Sequence, residues 1–268
     1  RFPYAYIAWL VQKKAEEVLL GHPYLDEVIT FDRDKWISKV WPLMKKLRKR
    51  RFDLVLDPHG QFRSGLFAYI TGAKVRLGFH PKNGREFNSL FINLKAPPVP
   101  EHWHAVERYL ALASLLGAET ETKEFMLQIG EWEKEYVERF LREEGVEKGE
   151  LLIAINPGSS WKSKIWPSKN YAQLADILIK NFKAKVVLLW GPGEENLVKS
   201  ISDLMEEKPL IAPRTGLKKL TSLISQCTLF IGSDSAPLHI ASSLSIPAIG
   251  LYGPTDPQRN GPYGSGNV

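Results

Sequence analysis

Three short runs carry the residues best suited to chemistry, and each follows an apolar stretch of strand length. In the first, Asn156, Pro157 and Gly158 lead into Ser159, Ser160, Trp161, Lys162, Ser163 and Lys164. Glycine lets backbone come close to a ligand, serine hydroxyls and amides donate hydrogen bonds, and lysine brings a point charge. Those are the parts of a phosphate cradle, with Lys162 and Lys164 both available as the cation. The second run is Ser233, Asp234, Ser235, Ala236, Pro237, Leu238 and His239. Ser235 reads as an N-cap and Pro237 as a first-turn residue, so a helix N-terminus with free N–H donors is expected there, an end that attracts a diphosphate. Asp234 would repel a phosphate placed beside it and reads as a partner for backbone donors or sugar hydroxyls. The third run is Trp190, Gly191, Pro192, Gly193, Glu194 and Glu195, where either glutamate could accept two hydrogen bonds from a ribose diol.

To act together these runs must sit at neighbouring strand ends, and the second half of the chain has the pattern that puts them there. Short β-branched or leucine-rich runs at 151–155, 185–190, 209–212, 228–232 and 246–251 alternate with segments of helical period. One such segment spans Lys169 to Phe182 with Ser168 as its expected N-cap. Repeated βα order predicts a parallel sheet covered by helices, and in such sheets ligands bind beyond the carboxyl ends of the strands. Three polar runs at three strand ends of one sheet outline a nucleotide diphosphate site. No Gly-x-Gly-x-x-Gly follows a strand, which argues against a nicotinamide-dependent oxidoreductase.

The first half repeats the theme, with strands expected at 6–11, 27–31, 52–57 and 74–77. Pro97, Pro98 and Pro100 mark a loop before a helix that begins near His104, and a densely charged helix from Glu131 to Glu144 ends at Gly145. The expected division is a first domain over 1–148 and a second over 149–268. After the 52–57 strand, His59 and Arg63 face the same edge as the second domain's site if the first domain is also doubly wound. With Arg76, Lys82 and Arg85 they could meet carboxylates and phosphates of a second substrate. Asp32 and Asp34 form an acidic pair of the kind that holds a divalent cation, but they lie in the wrong half and read as a solvated loop.

Composition bounds the class. The chain has 268 residues, 44% hydrophobic and 25% charged, as in an ordinary globular protein with room for two modest α/β domains. Its net charge of +6 is spread as mixed Lys, Arg and Glu, the look of a solvated surface and not of a nucleic-acid patch. A single cysteine, Cys227 among apolar neighbours, points to a reduced compartment and a buried, inert thiol. No apolar run approaches the roughly 18 residues that would span a bilayer, so a cytoplasmic protein without a transmembrane segment is expected. The chain opens at Arg1 without a methionine and stops at Gly264, Ser265, Gly266, Asn267 and Val268, so both ends look cut.

The strings NPGSSWKSKIWP (156–167), WGPGEE (190–195), SDSAPLHIASSL (233–244) and YGPTDP (252–257) resemble the lipopolysaccharide heptosyltransferases, glycosyltransferase family 9, in order and spacing. DPHGQFRSGLFAYITGAKVRLGF (57–79) and HAVERYLALASLLG (104–117) are similar to the acceptor-side half of that family, so the resemblance spans nearly the whole chain. It implies two facing Rossmann-like domains of the GT-B type, with the acceptor-side domain first and the nucleotide-sugar domain second. It also implies inverting transfer without metal or cofactor from ADP-heptose to the Kdo-bearing lipid A inner core at the inner membrane surface. Carried over by motif position, Lys164 neutralises the diphosphate and supports catalysis, while Ser159 and Ser160 donate beside it. Glu195 holds the ribose, Ser235, Ala236 and Pro237 line the phosphates, and Asp234 and His239 complete that loop. His59, Arg63, Arg76 and Arg85 fall to the acceptor side. Two departures stand out. The family usually has glycine at the position of Ala236, and its catalytic base belongs to a Gly-Asp loop that is expected before Arg1, as is its first strand. The alternatives are a family member that uses another nucleotide sugar and a non-catalytic nucleotide-binding module.

Overall fold

The computed structural model describes residues 4–34, 36–264 and 267, with the backbone alone described for 36–39; Arg1, Ser265, Gly266 and Val268, named above, lie outside the described residues. The chain forms two compact units. One holds the residues up to Glu16 together with Pro23–Glu124, and the other holds Glu17–His22 together with Phe125 onward.

In chain order the elements are β1 (Ala8–Gln12), α1 (Glu16–Leu19), β2 (Glu27–Phe31), α2 (Trp36–Lys49), β3 (Leu54–Asp57), α3 (Phe62–Thr71), β4 (Val75–Gly78), β5 (Leu94–Lys95), α4 (Ala105–Ser114) and α5 (Glu131–Glu143). Then follow β6 (Leu152–Asn156), α6 (Ser168–Phe182), β7 (Lys185–Leu188), α7 (Glu195–Ser202), β8 (Leu210–Ile211), α8 (Leu217–Ser225), β9 (Leu229–Ser233), α9 (Ala236–Ser243), β10 (Ala248–Leu251) and α10 (Pro257–Asn260). Every strand pairing between these elements is parallel.

The second unit is a five-stranded sheet in the order β10-β9-β6-β7-β8. Alternate residues of β6 serve opposite faces. Leu152 and Ala154 pack with Val137 and Leu141 of α5, Leu223 of α8 and Leu238 of α9. Ile153 and Ile155 pack with Tyr171 and Ala175 of α6 and Ile201 of α7. A strand covered on both faces has no polar side, which is why this segment reads as a continuous apolar run. Because β7 and β8 lie on one side of β6 while β9 and β10 lie on the other, the winding reverses between β6 and β9. Ligands bind at such a switch point in open α/β sheets.

The first unit carries two parallel sheets, β1-β2 and β3-β4-β5. Its main core packs Ile29 of β2, Leu47 of α2, and Phe67 and Ile70 of α3. The units divide between Glu124 and Phe125, earlier than the expected boundary at 148/149. The reason is α5: its charged outer face hides a stripe whose Val137 and Leu141 are buried in the second unit's core. The predicted strand at 6–11 begins at Ala8, and the two-residue β5 was too short to read. Proline-rich residues 97–100 form no helix or strand, and α4 starts at Ala105, where the His104 ring accepts the Val106 N–H at 3.2 Å. Helix α6 begins at Ser168 itself with Pro167 as its N-cap, so Ser168 does not cap it.

Candidate active site

Where the winding reverses, β6 ends at Asn156 directly opposite Gly232 of β9. The chain leaving β6 turns through Gly158 into a short 3₁₀ turn over Lys162–Lys164, and the chain leaving β9 turns through Asp234 into α9. These two turns are tied side chain to side chain. Lys164 Nζ lies 2.7 Å from Asp234 Oδ2, with the two side chains only 15% and 9% exposed. Thr255 Oγ1 donates to the same carboxylate oxygen at 2.8 Å, and His239 Nε2 stands 3.9 Å from the other. Asn156 Nδ2 donates to Gly158 O at 3.1 Å and to Ser235 Oγ at 3.2 Å, and Ser159 Oγ reaches Asp234 O at 3.4 Å. Ser233 Oγ, buried, bonds the Tyr171 hydroxyl at 2.9 Å and Pro157 O at 3.2 Å. Burial, and after it the Asp234 charge, push the Tyr252 phenol above its ordinary pKa.

Local sequence explains the placement. Pro157 and Gly158 end β6 in a way no helix can continue, and the backbone at Gly253 passes so near the Ser163 carbonyl that a Cβ there would come within 2.8 Å. The YGPTDP loop therefore presses on the turn that carries Lys164. Ser235 sits at the N-cap of α9, but its hydroxyl donates to Ser233 O at 3.1 Å and makes no cap bond. The expected capping role thus falls away, and little backbone replaces it: Pro237 has no N–H and the Leu238 N–H donates to Ser235 O at 3.2 Å, which leaves the Ala236 N–H as the first-turn donor without a partner among the described residues. A helix N-terminus of that kind carries partial positive charge and favours anions.

Of the two glutamates in the third run, the structure brings Glu194 to the turn. Its carboxylate accepts the Gly191 N–H at 2.7 Å and lies against Gly158, where a Cβ would collide with it. Glu195, assigned the ribose by resemblance, opens α7 and is exposed. Trp161 is exposed, with Lys164 Nζ 5.3 Å from its ring centroid, while Trp166 packs edge-on against Tyr171. Ser160, Ala236 and Pro237 stand on the two turns, and no hydrogen bond of their side chains enters the cluster among the described residues.

In the first unit, β3 ends at Asp57, 4% exposed. Its carboxylate accepts the His59 N–H (3.1 Å), the Gly60 N–H (3.2 Å), the Ser64 hydroxyl (2.9 Å) and the Asn88 amide (2.7 Å). Gly60 O in turn accepts the Arg85 N–H at 2.8 Å, so the loops carrying His59 and Arg85 adjoin. Arg63 lies in the first turn of α3, which follows the same loop. Arg76 is not brought to this group. Its guanidinium donates to Ala73 O and Phe91 O, both at 2.7 Å, and stacks on Tyr69. In the Asp32–Asp34 loop, Asp32 accepts the Asp34 N–H and Asp34 pairs with Lys14 at 3.7 Å.

Residues that the sequence reading passed over are Thr255, Asn156 and Asp57. Their one signal was position: a polar residue closing an apolar run for Asn156 and Asp57, and a place in the YGPTDP string, with no chemistry assigned, for Thr255.

The sequence profile of glycosyltransferase family 9 (heptosyltransferase) matches residues 40–268. The chain belongs to this family. A lipopolysaccharide core heptosyltransferase, OpsX of Haemophilus influenzae, is 30% identical over 98% of this chain and 74% of its own length. A family 9 glycosyltransferase from Veillonella parvula superposes with a TM-score of 0.88 at 25% identity, covering 99% of this chain and 78% of that one. The Escherichia coli ADP-heptose LPS heptosyltransferase II superposes with a TM-score of 0.79 at 25% identity, covering 100% and 82%. The chain is thus a family 9 glycosyltransferase with the α/β, GT-B-type fold of its relatives. Among the described residues no helix is long and apolar enough to cross a membrane.

Proposed function

We propose that this family 9 enzyme transfers heptose, with inversion, from ADP-heptose to the Kdo-bearing inner core of lipid A, and that it needs no metal to do so. The observation that carries the reading is the meeting of Lys164 with the uncapped N-terminus of α9 at the switch point between β6 and β9. A cation and the Ala236 N–H at the positive end of α9 converge there, where charge grows on a leaving diphosphate. An acceptor hydroxyl attacks the anomeric carbon, its proton passes to a general base, and the bond from that carbon to the β-phosphate oxygen breaks with its electron pair leaving on ADP. Lys164 and the N-terminal end of α9 stabilise that charge, work that a preorganised electrostatic site does without rearrangement. Ser159 and Ser160 are the added donors and Asp234 orients Lys164. Ser235, Ala236, Pro237 and His239 shape the phosphate wall.

For the ribose, position favours Glu194 or Glu195 at the end of β7. His59, Arg63 and Arg85 are the acceptor-side cations, and Arg76 supports the fold of that side. Two of the relatives named above, the Haemophilus influenzae and Escherichia coli enzymes, carry lipopolysaccharide or ADP-heptose in their names and support this donor and acceptor. The test is calorimetry and thermal shift with ADP, UDP and GDP, followed by transfer from ADP-heptose to a Kdo-lipid A acceptor. ADP alone should stabilise the protein, by about 2.7 kcal/mol at a hundredfold excess over Kd. A response to UDP and not to ADP would overturn the donor, and ADP binding without transfer would leave a nucleotide-binding module.

A further inference from the structure

Helix α2 has two unlike sides. Val40, Leu43, Met44 and Leu47 pack into the first unit's core against Ile29 and Phe67. On the side away from them, Trp41, Lys45 and Lys49 recur at intervals of four, with Arg48 on the flank, so these residues share one stripe. All four are exposed, Trp41 to 63%, and Arg51 continues the basic run beyond the helix. The Lys45 ammonium stands 5.9 Å from the Trp41 ring centroid. Two further cations, Lys46 and Arg50, are already committed: both reach Glu27 Oε1, at 3.1 and 2.7 Å. Among the described residues, Lys49, Arg48 and Arg51 make no salt bridge.

A large exposed indole is costly in water, and a row of cations around it is not what a protein core or a neutral protein partner would match. With the apolar face of α2 already spent on the core, the outer stripe suits a bilayer surface: clustered cations are drawn to anionic headgroup phosphates, and tryptophan settles at headgroup depth. We infer that the outer face of α2, built on Trp41, Lys45, Arg48 and Lys49, docks the enzyme on the anionic headgroups of a phospholipid bilayer. The inference rests on the reading of the acceptor as lipid-borne and adds to it the surface that meets the lipid. Charge complementarity selects the occupant, since the stripe carries three cations and no carboxylate.

Partition onto phosphatidylglycerol–phosphatidylethanolamine vesicles, followed by co-sedimentation, tests this against phosphatidylcholine vesicles. The chain should prefer the anionic vesicles, and added salt should release it. Lys45→Glu/Lys49→Glu should weaken partition by about tenfold or more, since each basic residue near an anionic surface contributes several-fold. Lys45→Gln/Lys49→Gln should weaken it less, Lys45→Arg/Lys49→Arg should restore it, and Trp41→Ser should lower it at unchanged charge. Partition that survives the Glu and the Gln double substitutions, equal binding to phosphatidylcholine, or tight capture of an oligonucleotide in place of vesicles would overturn the proposal. Transfer to a water-soluble, delipidated acceptor separates the two readings. It should run at the wild-type rate in these variants, while transfer to vesicle-embedded acceptor slows. No transfer to the soluble acceptor by any variant would sink the functional reading and leave the vesicle result to stand or fall alone.

Discussion

Each unit closes a strand with a buried carboxylate at its sheet edge, and the two are satisfied in opposite ways. Asp57 in the first unit is held by two backbone N–H groups and a hydroxyl from the loop and helix that follow it, and by the Asn88 amide from beyond β4, all of them neutral. Asp234 in the second is held by a cation, Lys164, and a hydroxyl, Thr255, which arrive from two other segments of the chain. A carboxylate wrapped in fixed neutral donors serves architecture, because nothing that binds nearby can take its partners without breaking a loop. A carboxylate sharing a lysine with solvent and ligand serves chemistry, because the ammonium has three donors and Asp234 takes one. Asp57 is accordingly a keystone of its loops, and in the proposed mechanism Asp234 is the residue that positions Lys164.

The largest expected effect tests the second half of that contrast. Lys164→Ala should lower kcat by about 10² to 10³, the usual loss for one donor to a developing anion, whereas Lys162→Ala should stay within a few-fold of wild type. Initial rates of ADP release decide it, and equal losses would move the cation's role off Lys164. Next comes Asp57→Ala, which leaves the His59 and Gly60 N–H groups without their acceptor while the Ser64 hydroxyl and the Asn88 amide keep Gln61 O, and should cost about 3 kcal/mol of stability in urea titration. ADP affinity of the fraction still folded should be unchanged; a parallel fall in affinity would erase the distinction between keystone and site. The smallest effect is Thr255→Val. Loss of one hydrogen bond to a charged group should cost about 1.5 kcal/mol and weaken ADP binding only a few-fold, through a looser Asp234 and hence a looser Lys164. A loss as large as that of Lys164→Ala would make Thr255 a direct ligand.

The second unit was legible almost throughout because its strands are buried on both faces and read as unbroken apolar runs, with β6 and β9 each displaced by one residue. The first unit was harder. Strand β5 spans two residues and α1 four, too short for either period to show. Helix α5 misled in the other direction: its dense charge and the glycine after it put it at the end of the first domain, and only Val137 and Leu141 say which core it belongs to. Cys227 behaved as its neighbours implied, with burial pushing the thiol up to about 12. At the site, residue types named the two turns, but not the bonds between segments far apart in sequence. That Asp234 would claim Lys164, that Ser235 would leave its helix uncapped, and that Glu194 would lie on Gly158 depend on side-chain direction, which spacing along a strand end does not encode.

The pairing of Lys164 with Asp234 also bears on how fast a donor arrives. Opposite charges 2.7 Å apart present to the surroundings a dipole and not a monopole, and a dipole's field fades within a few ångströms. If the proposed donor binds here, its diphosphate is therefore not drawn in from afar by this lysine. It feels the pair only on contact, where its oxygens compete with Asp234 for the same ammonium. Association governed in this way is slow to respond to ionic strength, and discrimination among anions falls to the dissociation step, when a ligand able to bridge the lysine and the α9 backbone leaves late and a simpler anion leaves early.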